Sequence, residues 1–154
     1  MMALPDEFWT PAPFDAFDAS DRVALESIGV RRNFKAGDSV FRPGDVSFGA
    51  YAVVDGTVSL EDASNATLDG RAPSRLDVPG TLFSKGSLLE PFHHRHHCRA
   101  VTDATVLLIP RDAFEARFVA GERFALTVVD AIVRATGAEI RELNAAIHAF
   151  VRQS

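Results

Sequence analysis

At 154 residues the chain favours one domain, with room for a helical appendage, and can hide roughly 70% of its unfolded surface. Hydrophobic residues at 47% and charged residues at 24% are the balance of a soluble globular protein. The 16 Lys and Arg against 21 Asp and Glu leave a net charge of −5, which excludes a broadly basic nucleic-acid-binding face, and the single Cys98 excludes a disulfide framework or a cysteine-only zinc site.

Residues 1–13 carry Pro5, Pro11 and Pro13 without clean periodicity. They read as an irregular lead-in, with Phe8 and Trp9 as candidates to dock on the body. There is no basic stretch followed by an apolar run, so no signal peptide is read here, and no segment approaches the ~18 apolar residues of a membrane span. A cytoplasmic protein is the expectation.

Ser20 reads as a helix N-cap with Asp21 in the first turn. Val23, Ala24, Leu25 and Ile28 supply the apolar face, and Gly29 ends the helix. Residues 30–109 then read as short strands cut by turns. Lys35-Ala36-Gly37-Asp38 and Arg42-Pro43-Gly44-Asp45 are turns, and Asp55-Gly56 joins strands at 51–54 and 57–60. Residues 61–75 are small and polar and read as a mobile hairpin tip. Thr105–Ile109 is the last strand, stopped by Pro110. This spacing implies an antiparallel jelly-roll-like β-barrel within an α+β fold.

After Pro110 the periodicity turns helical. Asp112 to Val119 forms a short helix, and residues 122–152 form a long one of about 46 Å. The long helix carries Leu126, Val129, Val133, Thr136, Ile140, Leu143, Ile147 and Phe150 in alternating steps of three and four. A second apolar stripe, Phe124, Val128, Ile132 and Ala135, is confined to its first half. The first half can therefore touch the body on one side and a partner on the other. The second half would be wet unless another helix covers it, so the expectation is a homodimer. The alternative is that the whole helix folds back on its own body. Gly137 is a place where the helix can kink. The organisation read here is a lead-in at 1–13, a β-roll domain at 14–121 and a long helix at 122–152.

The order of these parts resembles the cyclic nucleotide-binding domain of the catabolite activator and fumarate–nitrate regulator (Crp/Fnr-like) family. The residues that carry the resemblance are Phe34-x-Ala36-Gly37-Asp38, Pro43-Gly44-Asp45 and Tyr51-x-Val53-x-x-Gly56-x-Val58, followed by Pro79-Gly80-x-x-Phe83, Ser87-Leu88-Leu89 and Arg99-Ala100-x-Thr102-Asp103. The similarity spans about residues 14–152. It implies a regulatory sensor with a short N-terminal helix and a long C-terminal dimerisation helix. The chain stops where transcription factors of this resemblance continue into a helix-turn-helix domain, so no nucleic-acid contact is expected.

The resemblance also implies where a ligand would sit. Family members hold a cyclic nucleotide with a cassette reading roughly Phe-Gly-Glu-x-Ala-Leu-Leu, then an Arg about five residues on. The Gly lets backbone N–H groups approach the phosphate, the Glu accepts from the ribose hydroxyl, and the Arg pairs with the phosphate. The matching stretch here is Phe83-Ser84-Lys85-Gly86-Ser87-Leu88-Leu89, with His94 at the Arg position by counting from either side. Arg95 is one residue off. Lys85 only donates, so it does not replace the carboxylate. Cyclic AMP binding in the usual way is not expected, and no cofactor is required. Two readings stay open: a decayed cassette on a scaffold that dimerises or docks a partner protein, or a pocket for a small anion. The second uses the local basic bias, in which Lys85, Arg95 and Arg99 outweigh Glu90 by +2 over residues 85–99.

His93-His94-Arg95-His96-His97-Cys98 supports a further alternative, a cupin-like metal-binding protein. On a strand, His94 and His96 share one face and His93 and His97 the other. A cupin motif would continue with a Glu, and here Cys98-Arg99-Ala100-Val101-Thr102 follows. A haem held by His97 or Cys98 is permitted but no spacing demands it. No nucleophile elbow or phosphate loop is present, so the chain reads as a non-enzyme.

Overall fold

A computed structural model describes residues 3–62 and 74–153. The expected α+β roll is present, built as two facing four-stranded antiparallel sheets rather than a closed barrel. One sheet has the order β1 (Val30–Phe34), β8 (Ala104–Pro110), β3 (Gly49–Asp55), β6 (Leu82–Phe83). The other has the order β2 (Ser39–Phe41), β7 (His96–Ala100), β4 (Val58–Asp62), β5 (Ser74–Leu76). The hairpin tip expected at 61–75 is partly strand, in β4 and β5, and its remainder lies outside the described residues.

The first sheet is covered on both faces, which explains the near-continuous apolar runs of β3 and β8. Alternate side chains go opposite ways. Tyr51 and Val53 of β3, with Val106 and Leu108 of β8, join a core between the sheets that includes Phe41, Val58, Phe83, Cys98 and Ala100. Ala50, Ala52, Leu107 and Ile109 face the helices instead. The two alanines keep that face shallow, so the helices come close.

Three helices cover it: α1 (Ala19–Ile28), α2 (Arg111–Val119) and α3 (Arg123–Gln153). The cap of α1 is Asp18, not Ser20. The Asp18 carboxylate accepts from the Asp21 N–H at 2.8 Å, and the Asp21 carboxylate accepts from the Asp18 N–H at 3.0 Å. This reciprocal pair satisfies two backbone donors where a Ser20 cap would satisfy one. Arg123 at the start of α3 reaches both carboxylates, at 3.2 and 3.5 Å, and ties the two helices together.

Phe8 and Trp9 dock on the body as expected, and they bring the lead-in into the helix-side core. The lead-in contains a 3-10 turn, Asp6–Trp9, and a second, Phe14–Ala16, follows it directly. Phe8 and Phe14 are fully buried and stack at 4.9 Å, with Trp9 and Phe17 packed edge-on around them. Gly80 lets this segment close on the β-roll: its φ is +88°, and a Cβ there would collide with the Phe8 carbonyl oxygen.

Helix α3 divides as its two stripes imply. Phe124, Ala125, Val128 and Ile132 are buried in the helix-side core. Leu126 and Val133 are exposed on the other side, while Val129 packs partly against the core. From residue 139 to 149 every side chain is exposed, so the helix does not fold back on its own body. It runs as one element through Gly137. No described helix is long and apolar enough to cross a membrane.

Candidate functional site

The cassette stretch forms a four-residue 3-10 turn, Lys85–Leu88, between β6 and β7. Ser87 and Leu88 point into the interior and are buried, and Phe83 stacks on Tyr51 between the sheets at 5.5 Å. Ser84 is left-handed at φ 56°, ψ 37°, a conformation that a glycine adopts at no steric cost. Replacing Ser84 with Gly is therefore expected to stabilise the fold by about 0.5–1 kcal/mol, read as a higher denaturation midpoint.

A cavity of about 750 Å³ opens beside this turn. Ser84, Gly86, His94 and Arg95, all expected from the cassette alignment, line it. So do Phe41, Leu60, Glu90, Phe92, His93 and His96. Lys85 and Arg99 are not among its lining residues. Arg99 lies opposite Ser39 and Ser59 in the register, on the outward side of β7, with its guanidinium 3.5 Å from His97 Nδ1. His97 faces the same way and shares a 2.7 Å hydrogen bond with the Ser39 hydroxyl.

His94 occupies the centre of the site. Its ring stacks flat on Phe41 at 3.7 Å and 11°, meets Phe92 edge-on at 5.7 Å, and is only 5% exposed. Burial holds its pKa below the ordinary 6.5, against the pull of Asp45 and reinforced by His96. The ring is thus neutral at pH 7. Because the folded value is depressed, the unfolded chain binds the extra proton first as pH falls below about 6.5. Stability from this group is intact above that pH and declines below it. Denaturation midpoints between pH 7.5 and 5.5 are expected to fall more steeply for the wild type than for His94→Gln.

Phe41 reaches His94 because of a bulge. Ser39 pairs with Arg99 and Phe41 with Cys98, so the register slips between them. Simple alternation would put Phe41 on the outward side with Ser39. A second residue that sequence reasoning missed is Arg111 at the head of α2. It donates to the Ser47 carbonyl at 3.1 Å and the Ser87 carbonyl at 3.3 Å, which fastens the cassette turn to the helical layer. No sequence pattern marks it.

The histidine run does not assemble a metal centre: among the described residues no three His, Cys, Asp or Glu side chains converge on one point. His94 and His96 both line the cavity, but His94 is packed on Phe41 and His97 is turned outward to Ser39. Cys98 lies in the core between the sheets, where burial pushes its thiol up to about 12, so it offers no thiolate near neutral pH.

A family model, the cyclic nucleotide-binding domain, matches residues 31–119, more than half of the chain. The chain belongs to this family. The matched stretch runs from β1 to the end of α2 and includes the turn at Lys85–Leu88. Solved structures agree on the fold of this cyclic nucleotide-binding domain. The N-terminal domain of a transcriptional regulator from Streptomyces coelicolor A3(2) is 22% identical with a TM-score of 0.71, covering 92% of this chain and 95% of that one. The catabolite activator protein of Thermus thermophilus is 25% identical with a TM-score of 0.67, covering 89% of this chain and 62% of that one. A cyclic nucleotide-binding-like protein from Brucella abortus is 23% identical with a TM-score of 0.57, covering 73% of this chain and 97% of that one. Among curated proteins no sequence matches. Domains of this family are regulatory modules, which favours that class over the cupin-like alternative.

Proposed function

We propose that this domain is a non-catalytic regulatory module that does not hold a cyclic nucleotide through the usual phosphate cassette, and that it acts by self-association along α3 or by docking a partner protein. One observation carries the ligand part of this reading: the cassette's Arg position is a neutral histidine, buried flat against Phe41. An imidazole in that state offers no bidentate clamp for a phosphate. The Glu position, now Lys85, adds no acceptor for a ribose hydroxyl.

A small anion in the larger cavity has less support. Of the three cations in this stretch only Arg95 lines that cavity, and Glu90 lines it too. The self-association part follows from the apolar seam of α3, where Leu126, Val133, Ile140, Leu143 and Ile147 are each about half exposed or more.

Calorimetric titration with cyclic AMP and cyclic GMP tests the ligand reading. The wild type is expected to give no saturable heat. A variant carrying Ser84→Gly, Lys85→Glu and His94→Arg together rebuilds the family's donor and acceptor set, and it is expected to gain binding. Saturable binding of either nucleotide by the wild-type chain overturns the reading.

A further inference from the structure

A second cavity, of about 420 Å³, lies on the far side of the Phe41–His94 stack from the cassette turn. Its walls are unusually aromatic, with Phe34, Phe41, Phe48 and Tyr51 all lining it. This is within the size range of small-molecule sites and suits one or two fused rings. Two polar groups there have no hydrogen-bond or ion-pair partner among the described residues. Tyr51 is only 7% exposed, yet its hydroxyl makes no hydrogen bond among the described residues. Among the described residues no enclosed side-chain nitrogen or oxygen lacks a partner, so the Tyr51 oxygen opens into the cavity, where a guest can reach it. Burial raises the Tyr51 pKa, with the Arg32 charge pulling against it, so the hydroxyl stays protonated and donates. Arg32, exposed at the opening, makes no ion pair or hydrogen bond among the described residues.

Asp45 also lines the cavity; its carboxylate accepts from the Arg42 N–H at 2.9 Å inside its own turn and keeps its negative charge, which the Arg32 guanidinium offsets. The same carboxylate would repel a second negative charge. The rim is set in advance. His94 donates to the Asp45 carbonyl and Gly44 to the His94 carbonyl, both at 2.8 Å, and Ser47 donates to the Phe92 carbonyl at 2.8 Å. Two large apolar side chains that line the cavity, Val46 and Phe48, are 50% and 65% exposed.

We propose that this second cavity binds a small planar aromatic monocarboxylate, with its ring among Phe34, Phe41 and Phe48 and its carboxylate on Arg32 and the Tyr51 hydroxyl. The assignment goes beyond the regulatory reading above and does not depend on the cassette or on self-association. An aromatic acid seated there would press on the Phe41–His94 partition, the wall it shares with the larger cavity.

Titration calorimetry on the full chain tests it, with benzoate and indole-3-acetate as probes and benzyl alcohol and benzylamine as the uncharged and cationic controls. At least one carboxylate is expected to bind saturably, one per chain. Arg32→Gln is expected to weaken that binding about ten-fold or more, since it removes a charge-assisted contact. Arg32 is exposed and unpaired, so this variant keeps its fold. Tyr51→Phe is expected to weaken binding several-fold, and Arg95→Gln, in the larger cavity, to leave it unchanged. The proposal is overturned by no saturable binding to the folded wild type, by equal or tighter binding of benzyl alcohol or benzylamine, or by loss of binding in Arg95→Gln with none in Arg32→Gln.

Discussion

A chain carrying Leu143→Asp and Ile147→Asp is expected to sediment as a monomer where the wild type sediments as a dimer. Both side chains are more than half exposed in the single chain, at 61% and 51%, and both lie on the heptad face of α3. Paired with the same face of a second copy, each would be buried as a knob in the facing helix. Burying a Leu or Ile side chain contributes about 1.5–3 kcal/mol, and a two-fold dimer holds two copies of each. The loss is then about 6 kcal/mol or more, roughly four orders of magnitude in Kd. The carboxylates add repulsion across the seam. Sedimentation velocity reads the mass directly, and circular dichroism checks that the domain stays folded. A wild type that runs as a monomer at high concentration removes the self-association reading and leaves partner docking.

The second large effect concerns stability. Phe14→Ala is expected to cost about 3–5 kcal/mol, the usual range for deleting a fully buried phenylalanine. Phe14 is 0% exposed and lies against Phe8, Trp9 and Phe17 with ring centroids 4.9–6.0 Å apart. A loss of that size is a large part of the 5–15 kcal/mol that typically holds a domain together. The denaturant midpoint measures it. Trp9 is the only tryptophan and is 6% exposed, so its emission is expected to shift to the red in the variant. Had residues 1–13 been a loose tail, a change beside them would cost under about 0.5 kcal/mol, and that result would refute the packing.

The lead-in shows why part of the fold stays hidden in one dimension. Three prolines and no period hide a compact segment when its order comes from 3-10 turns and ring packing. Some of those contacts are to residues farther along the chain, such as Arg22 over the Trp9 ring and Gly80 against Phe8, and periodicity carries no record of them. Helix α3 is the opposite case. Its two stripes differ in length, and that difference alone separates the buried half from the protruding half. The Asp18 cap falls between these cases. Asp18 and Ser20 are both good N-cap types, and only the reciprocal bonds with Asp21 choose the former.

The site divides in the same way. The resemblance, with counting from both sides, puts the cassette at Phe83–Leu89 and sets Ser84, Lys85 and His94 at its Gly, Glu and Arg positions. The state of His94 is not legible in this way, because it depends on Phe41. That ring turns inward only through the bulge between Ser39 and Phe41, and a bulge defeats the period of two on which strand reading relies. The outward placement of Arg99 also changes the electrostatics, since a locally basic segment need not make a basic cavity when alternate residues leave on opposite faces. By itself the sequence determined the family, the strand-and-turn order and the two-faced long helix, because each is written in local spacing. Only the tertiary structure decided how Phe8 and Trp9 pack, that His94 is a buried neutral wall between two cavities, and that Arg32 and Tyr51, neither hydrogen-bonded among the described residues, line the second. Those outcomes depend on contacts between distant segments, and burial and hydrogen bonding there set the chemistry of each group.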